Sequence, residues 1–300
     1  MPPDHRPRPP DDRAPGPLLR PLPAGEGGPA VTAVDPHAAR ARHRPWPRRC
    51  PGIALDLGSA RTRAWLPGQG LLLDVPTVTF GDGPLHPIRR GVIVDTPGTA
   101  RMLDRLLTHR LPRLGRPLVI VAAPVLGGVT FRAQARTAAE VLRPQSVLTV
   151  PSARAVAEAA GADLSRPLLV ADIGAHVTDV VLLTDGTVTD ARRTTVGTSD
   201  LHRSASPARI TEAVIAMVTA VLDQDDTPQT LDALRRGILL AGGGALRPDI
   251  TYRLTDALHA PVKPVPAPHT AAVRGAAALL QAAHGHPSAA PGAGCARHPH

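Results

Sequence analysis

Asp56-Leu57-Gly58-Ser59-Ala60-Arg61-Thr62 follows the apolar run Ile53-Ala54-Leu55, and the pattern returns 116 positions later as Asp172-Ile173-Gly174-Ala175-His176-Val177-Thr178. A Gly at this point permits a positive φ, or a close backbone approach that a Cβ would block, so the turn can aim N–H groups at an anion. The Asp before it is suited to hold a metal ion or its waters. Each copy continues into the second strand of a hairpin. The first has Arg63-Ala64-Trp65-Leu66 with a turn at Pro67–Gly70, and the second has Asp179-Val180-Val181-Leu182-Leu183 with a turn at Asp185-Gly186. Asp, Gly, Thr and the hairpin Gly keep one register in both copies, which argues for two related halves facing each other across a cleft.

Composition narrows the rest. Three hundred residues suffice for one large domain or two modest ones with real cores. Aromatics make up only 2%, so those cores must be built from Ala, Val and Leu. The net charge of +9 raises the question of nucleic acid or anionic lipid. About half of that excess sits in residues 1–50, where nine Arg face five acids, and the remainder lacks the basic-aromatic pattern that single-stranded nucleic acid requires. Cys50 and Cys295 lie in the two terminal stretches, which argues against a disulfide framework and fits a reducing compartment. No apolar run approaches the ~20 residues needed to span a bilayer. No secretion signal is legible at the start either, so the expected location is cytoplasmic.

Residues 1–50 hold thirteen Pro and no periodic apolar pattern, and read as a disordered or polyproline-like tail. Two readings of it stay open: a basic tether to an acidic partner or to the inner face of the membrane, or an unselected solvated extension. A first lobe is expected over 51–160. It has a third strand at Leu71–Phe80, where Pro76 suggests an edge or a bulge, a further stretch at Arg89–Asp95 and a helix over Thr99–Leu111. The apolar run Leu118–Ala123 reads as a buried parallel strand. A helix at Thr130–Leu142, a strand at Val147–Val150 and a helix at Ser152–Ala160, opened by Ser152 as N-cap, complete it. A second lobe is expected over 161–284. Its third strand is Val188–Thr195, its helices are Ala208–Leu222, Thr227–Arg235, Arg247–Leu258 and Thr270–Ala283, and strands are expected at Gly237–Ala241 and Val262–Val265. Residues 285–300 read as a second tail. His284, His286, Cys295, His298 and His300 near it lack the structured spacing of a metal site.

Three loops in order, Asp56-Leu57-Gly58, Asp172-Ile173-Gly174 and Ala241-Gly242-Gly243-Gly244-Ala245-Leu246, make the chain resemble the actin-like ATPase superfamily, and within it the bacterial rod-shape-determining MreB/Mbl proteins. Further matching stretches are Val75-Pro76-Thr77-Val78, Gly91-Val92-Ile93-Val94-Asp95, Pro124 to Glu140, Val196-Gly197-Thr198-Ser199-Asp200 and Val273-Arg274-Gly275-Ala276-Ala277. The resemblance implies an α/β, duplicated actin/ribonuclease-H-like fold. Two lobes would each carry a central mixed sheet flanked by helices, with accessory subdomains reduced or absent. It also implies an ATP site. Asp56, Gly58, Ser59, Ala60 and Arg61 would face Asp172, Gly174, Ala175 and His176 across the phosphates. Gly242, Gly243, Gly244 and Ala245 would approach the adenosine, and Asp56 and Asp172 would hold Mg²⁺ through water.

The chain departs from the family at three places. Where the family's second loop reads Asp-Ile-Gly-Gly-Gly-Thr, Ala175-His176-Val177 replace the last three residues, and their side chains are expected to crowd a phosphate; a hydrogen bond from His176 to that phosphate is the other reading. The family's water-positioning Glu would fall between Val150 and Ser152, where no acid stands. Glu158 lies about two turns further on, roughly 9 Å along the axis. Only about forty residues separate Thr198 from Gly237, and about a dozen separate Val78 from Gly91, where the family carries longer inserts. The resemblance therefore implies a cytoskeletal protein linked to bacterial cell shape or cell-wall synthesis, with weak or vestigial ATP binding and an unassigned catalytic residue. Its implied partners are itself or a full-length MreB/Mbl-type protein, together with cell-wall or membrane-associated machinery, and no specific nucleic acid. The alternative is an active ATP-dependent phosphotransferase or phosphatase of the same superfamily.

Overall fold

The computed structural model describes residues 52–285 except 82, 112–115, 203–205 and 226, all within one compact unit, Arg48–His300. The expectations for residues 1–50, for Cys50 and for 286–300 lie outside the described residues.

The first half opens with β1 (Gly52–Leu57), β2 (Arg61–Leu66) and β3 (Gly70–Pro76), then two short hairpins, β4 (Thr79–Phe80) with β5 (Pro84–Leu85) and β6 (Ile88–Arg89) with β7 (Val92–Ile93). It continues through α1 (Thr96–Leu107), β8 (Leu118–Ala123), α2 (Gly128–Ala139), β9 (Ser146–Pro151) and α3 (Ser152–Ala159). The second half runs β10 (Leu168–Ile173), β11 (Thr178–Thr184), β12 (Thr187–Thr194), α4 (Pro207–Asp223), α5 (Gln229–Arg236), β13 (Ile238–Ala241), α6 (Pro248–Leu258), β14 (Val262–Pro264) and α7 (Ala271–Gly285).

Two five-stranded sheets result, ordered β3-β2-β1-β8-β9 and β12-β11-β10-β13-β14. In each, the first three strands form an antiparallel meander and the last two join in parallel, so the duplication read from the sequence extends to strand order. Alternation along β1 divides its core. Ile53, Leu55 and Leu57 face the side of α1 and α2, while Ala54 faces α3 and α7. Likewise Leu169, Ala171 and Ile173 of β10 face α4 and α6, and Leu168 and Val170 face α3. Both sheets are thus covered on both faces, which explains the continuous burial of Val119 to Ala123 in the parallel strand β8.

The layer between the sheets is built from small residues. Helices α3 and α7 cross so closely that a Cβ on Gly275 would lie 1.6 Å from the carbonyl oxygen of Ala155. Such an approach requires Gly and Ala, and the low aromatic content is its compositional trace.

Several elements differ from the sequence expectation or sharpen it. The stretch Arg89–Asp95 is part of a hairpin, because Arg90 (φ 47°) and Gly91 (φ 75°) turn the chain in the left-handed region. The strand ending at Pro76 resumes only at Thr79, since Thr77 turns inward and its hydroxyl donates to the Gly58 carbonyl at 2.6 Å. Helix α1 begins earlier than expected, capped by Asp95, whose Oδ1 accepts from the Gly98 N–H at 2.7 Å. Ser152 is not an N-cap. Pro151 ends β9 and passes directly into α3, so Ser152 is already helical and makes no capping bond.

Candidate functional site

β1 and β10 end in equivalent turns. Gly58 N–H donates to the Arg61 carbonyl at 3.1 Å, and Gly174 N–H donates to that of Val177 at 2.9 Å. Neither glycine has a positive φ. Each is required because a Cβ would come within 2.7 Å of the Arg61 oxygen or 2.9 Å of the Val177 oxygen. The glycine N–H groups are therefore spent on the turns. Those of Ser59, Ala60 and Ala175, immediately after them, donate to no acceptor among the described residues. The donors available to an anion are shifted one residue along from the glycines.

The second loop is also held from behind. Thr198 N–H donates to the Gly174 carbonyl at 3.0 Å and Ser199 N–H to that of Ala175 at 2.8 Å, while Gly197 lies so close to Ala175 that a Cβ would be 2.5 Å away. Ala175 and His176 keep negative φ, so replacing glycine there costs no backbone strain. In the third loop Gly242 has φ 79°, and a Cβ on it would strike the Ile173 carbonyl at 2.3 Å. Here Gly is obligatory on both counts.

Asp56, Gly58, Ser59, Ala60, Arg61, Asp172, Gly174, Ala175, Gly242 and Gly243 line one cavity of about 280 Å³. Three of the residues expected at the site do not line it. His176 instead shares a 3.1 Å hydrogen bond between its Nδ1 and Ser59 Oγ, tying the first loop to the second across the cleft. Gly244 and Ala245 are buried in the turn below, with Gly244 packed on Ile173. Arg61 reaches the cavity edge, but its guanidinium turns away to Asp74.

The residues that sequence reasoning missed are charged. The strand register sets Asp56 beside Arg63 and Arg63 beside Asp74, and in the other sheet Asp172 beside Asp179 and Asp179 beside Arg193. Arg63 Nη1 donates to Asp56 Oδ2 at 3.1 Å, and its Nε lies 3.2 Å from Asp74 Oδ1. Arg193 grips Asp179 with both arms, at 2.6 and 2.7 Å. Arg63, Asp179 and Arg193 all line the cavity. One signal was available: Arg63 and Asp179 occupy the same slot of the repeat, 116 positions apart, and both are charged immediately before an apolar run, Ala64-Trp65-Leu66 and Val180-Val181-Leu182-Leu183. Burial raises the Asp56 carboxyl above its usual range despite Arg63. Asp172 is pushed up to about 7 by burial first, then by the charges of Asp179 and Asp56.

The arrangement suits the phosphate part of a nucleotide. Besides the unspent N–H groups, a Cβ at Gly243 would meet nothing within 4 Å, and the buried Nδ1 of His269 on the cavity wall has no hydrogen-bond partner among the described residues. Both members of the expected Mg²⁺ pair, Asp56 and Asp172, line the cavity, Asp56 with one oxygen accepting from Arg63 at 3.1 Å. Asp56 is neutralised by Arg63, and at an effective dielectric of about 20 a dication about 5 Å from that guanidinium would be repelled by several kcal/mol. Among the described residues no group of three or more His, Cys, Asp or Glu is placed to hold a metal ion.

Two mixed sheets in one duplicated order, with paired turns facing a cleft, define an actin-like protein. The MreB/Mbl protein family model matches residues 84–206 and 204–287, and the chain belongs to that family. Among solved structures, MreB5 of Spiroplasma citri bound to ADP matches with a TM-score of 0.71 at 18% identity, covering 79% of this chain and 98% of that one. The MamK double helical filament gives 0.64 at 15%, covering 78% and 99%. EutJ, an ethanolamine utilization protein of Carboxydothermus hydrogenoformans, gives 0.56 at 17%, covering 78% and 91%. At these identities the likeness establishes the actin-like fold. No curated protein matches the chain by sequence. The accessory regions are short: among the described residues two hairpins stand between β3 and α1, and one 3-10 turn with α4 and α5 stands between β12 and β13. No helix among the described residues is long and apolar enough to cross a membrane.

Proposed function

We propose that the protein is a shortened cytoskeletal member of the MreB/Mbl family that binds a nucleotide weakly by its phosphates and assembles with itself or with a full-length relative at sites of cell shaping or wall synthesis. The observation that carries the nucleotide half is the convergence of the three loops on one cavity, with the Ser59, Ala60 and Ala175 N–H groups unspent. The weakness follows from two features. The cavity falls just below the ~300–1,000 Å³ typical of small-molecule sites, and a phosphate must compete with His176 for Ser59. The ADP bound by Spiroplasma citri MreB5 and the MamK filament are properties of those proteins; they support nucleotide binding and self-assembly here by kinship.

Turnover is slow on this reading. Ser152 faces the cavity where the family's acid would stand, Glu158 does not line it, and Asp56 and Asp179 are each paired to an arginine. Asp172 lines the cavity with no arginine partner among the described residues, but burial first and then the charges of Asp179 and Asp56 push its carboxyl up to about 7. An attacking water thus finds only one partly protonated carboxylate to place it, and placement supplies much of such a rate. Sedimentation with ATP, alone and mixed with a complete MreB-type protein, tests the assembly half. Pelleting in either arm supports it, and a protein that stays in the supernatant in both refutes it.

A further inference from the structure

Arg63 is the one cation among the described residues that the strand register sets directly beside Asp56, the first carboxylate of the expected metal pair. It lies between Asp56 and Asp74, with 14% of its side chain exposed, on the cavity wall. Its Nη2 donates to no acceptor among the described residues, so the guanidinium keeps hydrogen-bonding capacity after pairing with its two carboxylates. Arg193 stands in the same cavity from the other lobe, clasped by Asp179 and pressed against Gly91 of the first lobe, where its Nη1 is 3.0 Å from the site of a Cβ.

We propose that Arg63 is the built-in cation of this cleft, doing for nucleotide phosphates what a hydrated divalent ion would do elsewhere, so that binding is independent of magnesium. The proposal rests on the nucleotide-binding reading above. Its logic is charge and shape. A dication needs oxygen ligands free to turn toward it, and Asp56 has given one of its oxygens to Arg63. A guanidinium is planar, permanently charged and matched to two phosphate oxygens at once. The hydrogen bond to Asp56, with the Asp74 carboxylate 3.2 Å from Nε, orients it before any ligand arrives, so little side-chain entropy is lost on binding. Arg193 adds a second such charge from the opposite wall, and the two guanidinium groups bracket the cavity.

The test is the affinity of the full-length protein for a fluorescent ATP analogue, measured in 1 mM EDTA and in excess MgCl₂, for the wild type, Arg63→Leu and Arg63→Lys. The wild type is expected to bind equally within about twofold in both buffers. Arg63→Leu frees the Asp56 carboxylate; it is expected to lose about tenfold in EDTA and to regain most of that in magnesium. Arg63→Lys keeps the charge without the fork and falls between them in EDTA. A wild-type affinity that drops about tenfold or more when magnesium is chelated overturns the proposal without any variant, as does an Arg63→Leu protein that is folded and unaffected in EDTA. Absence of binding by the wild type in both buffers is a different failure: it removes the nucleotide reading and the proposal with it.

Discussion

Replacing Asp172 by Asn isolates the electrostatic cost of the cleft. Its carboxyl is raised from 3.8 to about 7, by burial before all else and then by repulsion from Asp179 and Asp56, with Arg63 and Arg193 offsetting only part. A folded-state value above the unfolded one means that the fold favours the protonated acid. That stability is complete below about pH 4 and is lost as the pH climbs through about 7. A shift of about three units corresponds to a ceiling of roughly 4 kcal/mol. Asp172 keeps part of its surface on the cavity, so solvent screening brings the expected figure to about 2 kcal/mol. Asn is nearly isosteric and does not titrate. The variant should therefore match the wild type near pH 4.5 and exceed it by about 2 kcal/mol at pH 8, or roughly 4–8 °C in Tm for a chain of this size. Thermal unfolding of both proteins across pH 4.5–8 measures the difference directly, because contributions from acids remote from Asp172 cancel and only those of its neighbours Asp56 and Asp179 shift with it. A variant less stable than the wild type at pH 8, or one with an unchanged gap across the range, refutes the reasoning.

Two further substitutions probe other parts of the account. Gly275→Ala places a Cβ 1.6 Å from the Ala155 carbonyl oxygen, forcing α3 and α7 more than an ångström apart; we expect a loss of about 1–3 kcal/mol, read as a lowered unfolding midpoint, and an unchanged midpoint contradicts the crossing described here. His176→Gly removes the partner of Ser59 and opens the space between the first two loops, so affinity for an ATP analogue should rise several-fold, whereas a fall shows that the imidazole assists the phosphate instead.

Much of this was legible in the chain because the duplication is written twice. The offset that relates Asp56 to Asp172 also relates Gly70 to Gly186, and that was enough to place two hairpins, two sheets and a cleft between them. Gly58, Gly174 and Gly242 were recognised as loop glycines, although the first two serve close packing of their own turns rather than a positive φ. The charge pairs were harder. Asp56 and Arg63 are seven apart in sequence and meet only through the hairpin register, and Arg193 reaches Asp179 only through a third strand. Motif reading assigns the acids in isolation, and what an acid can hold depends on what stands beside it. The turn at Arg90-Gly91 is hidden in the sequence for a similar reason: an Arg in the left-handed region carries no local signal, and the turn is held by a long-range bond from Arg90 Nη1 to the Thr195 carbonyl at 2.8 Å.

Equilibrium binding of a fluorescent ATP analogue to the full-length protein, with Gly243→Val as its control, tests the central claim most directly. Gly243 lines the cavity, its φ is not positive, and a Cβ there meets no neighbour within 4 Å, so the substitution adds bulk at the site with no backbone strain. The account predicts saturable binding that unlabelled ADP displaces and that Gly243→Val weakens by about tenfold or more, at least ~1.4 kcal/mol. A wild type with no saturable signal, or a Gly243→Val protein that binds as well as the wild type, would contradict it.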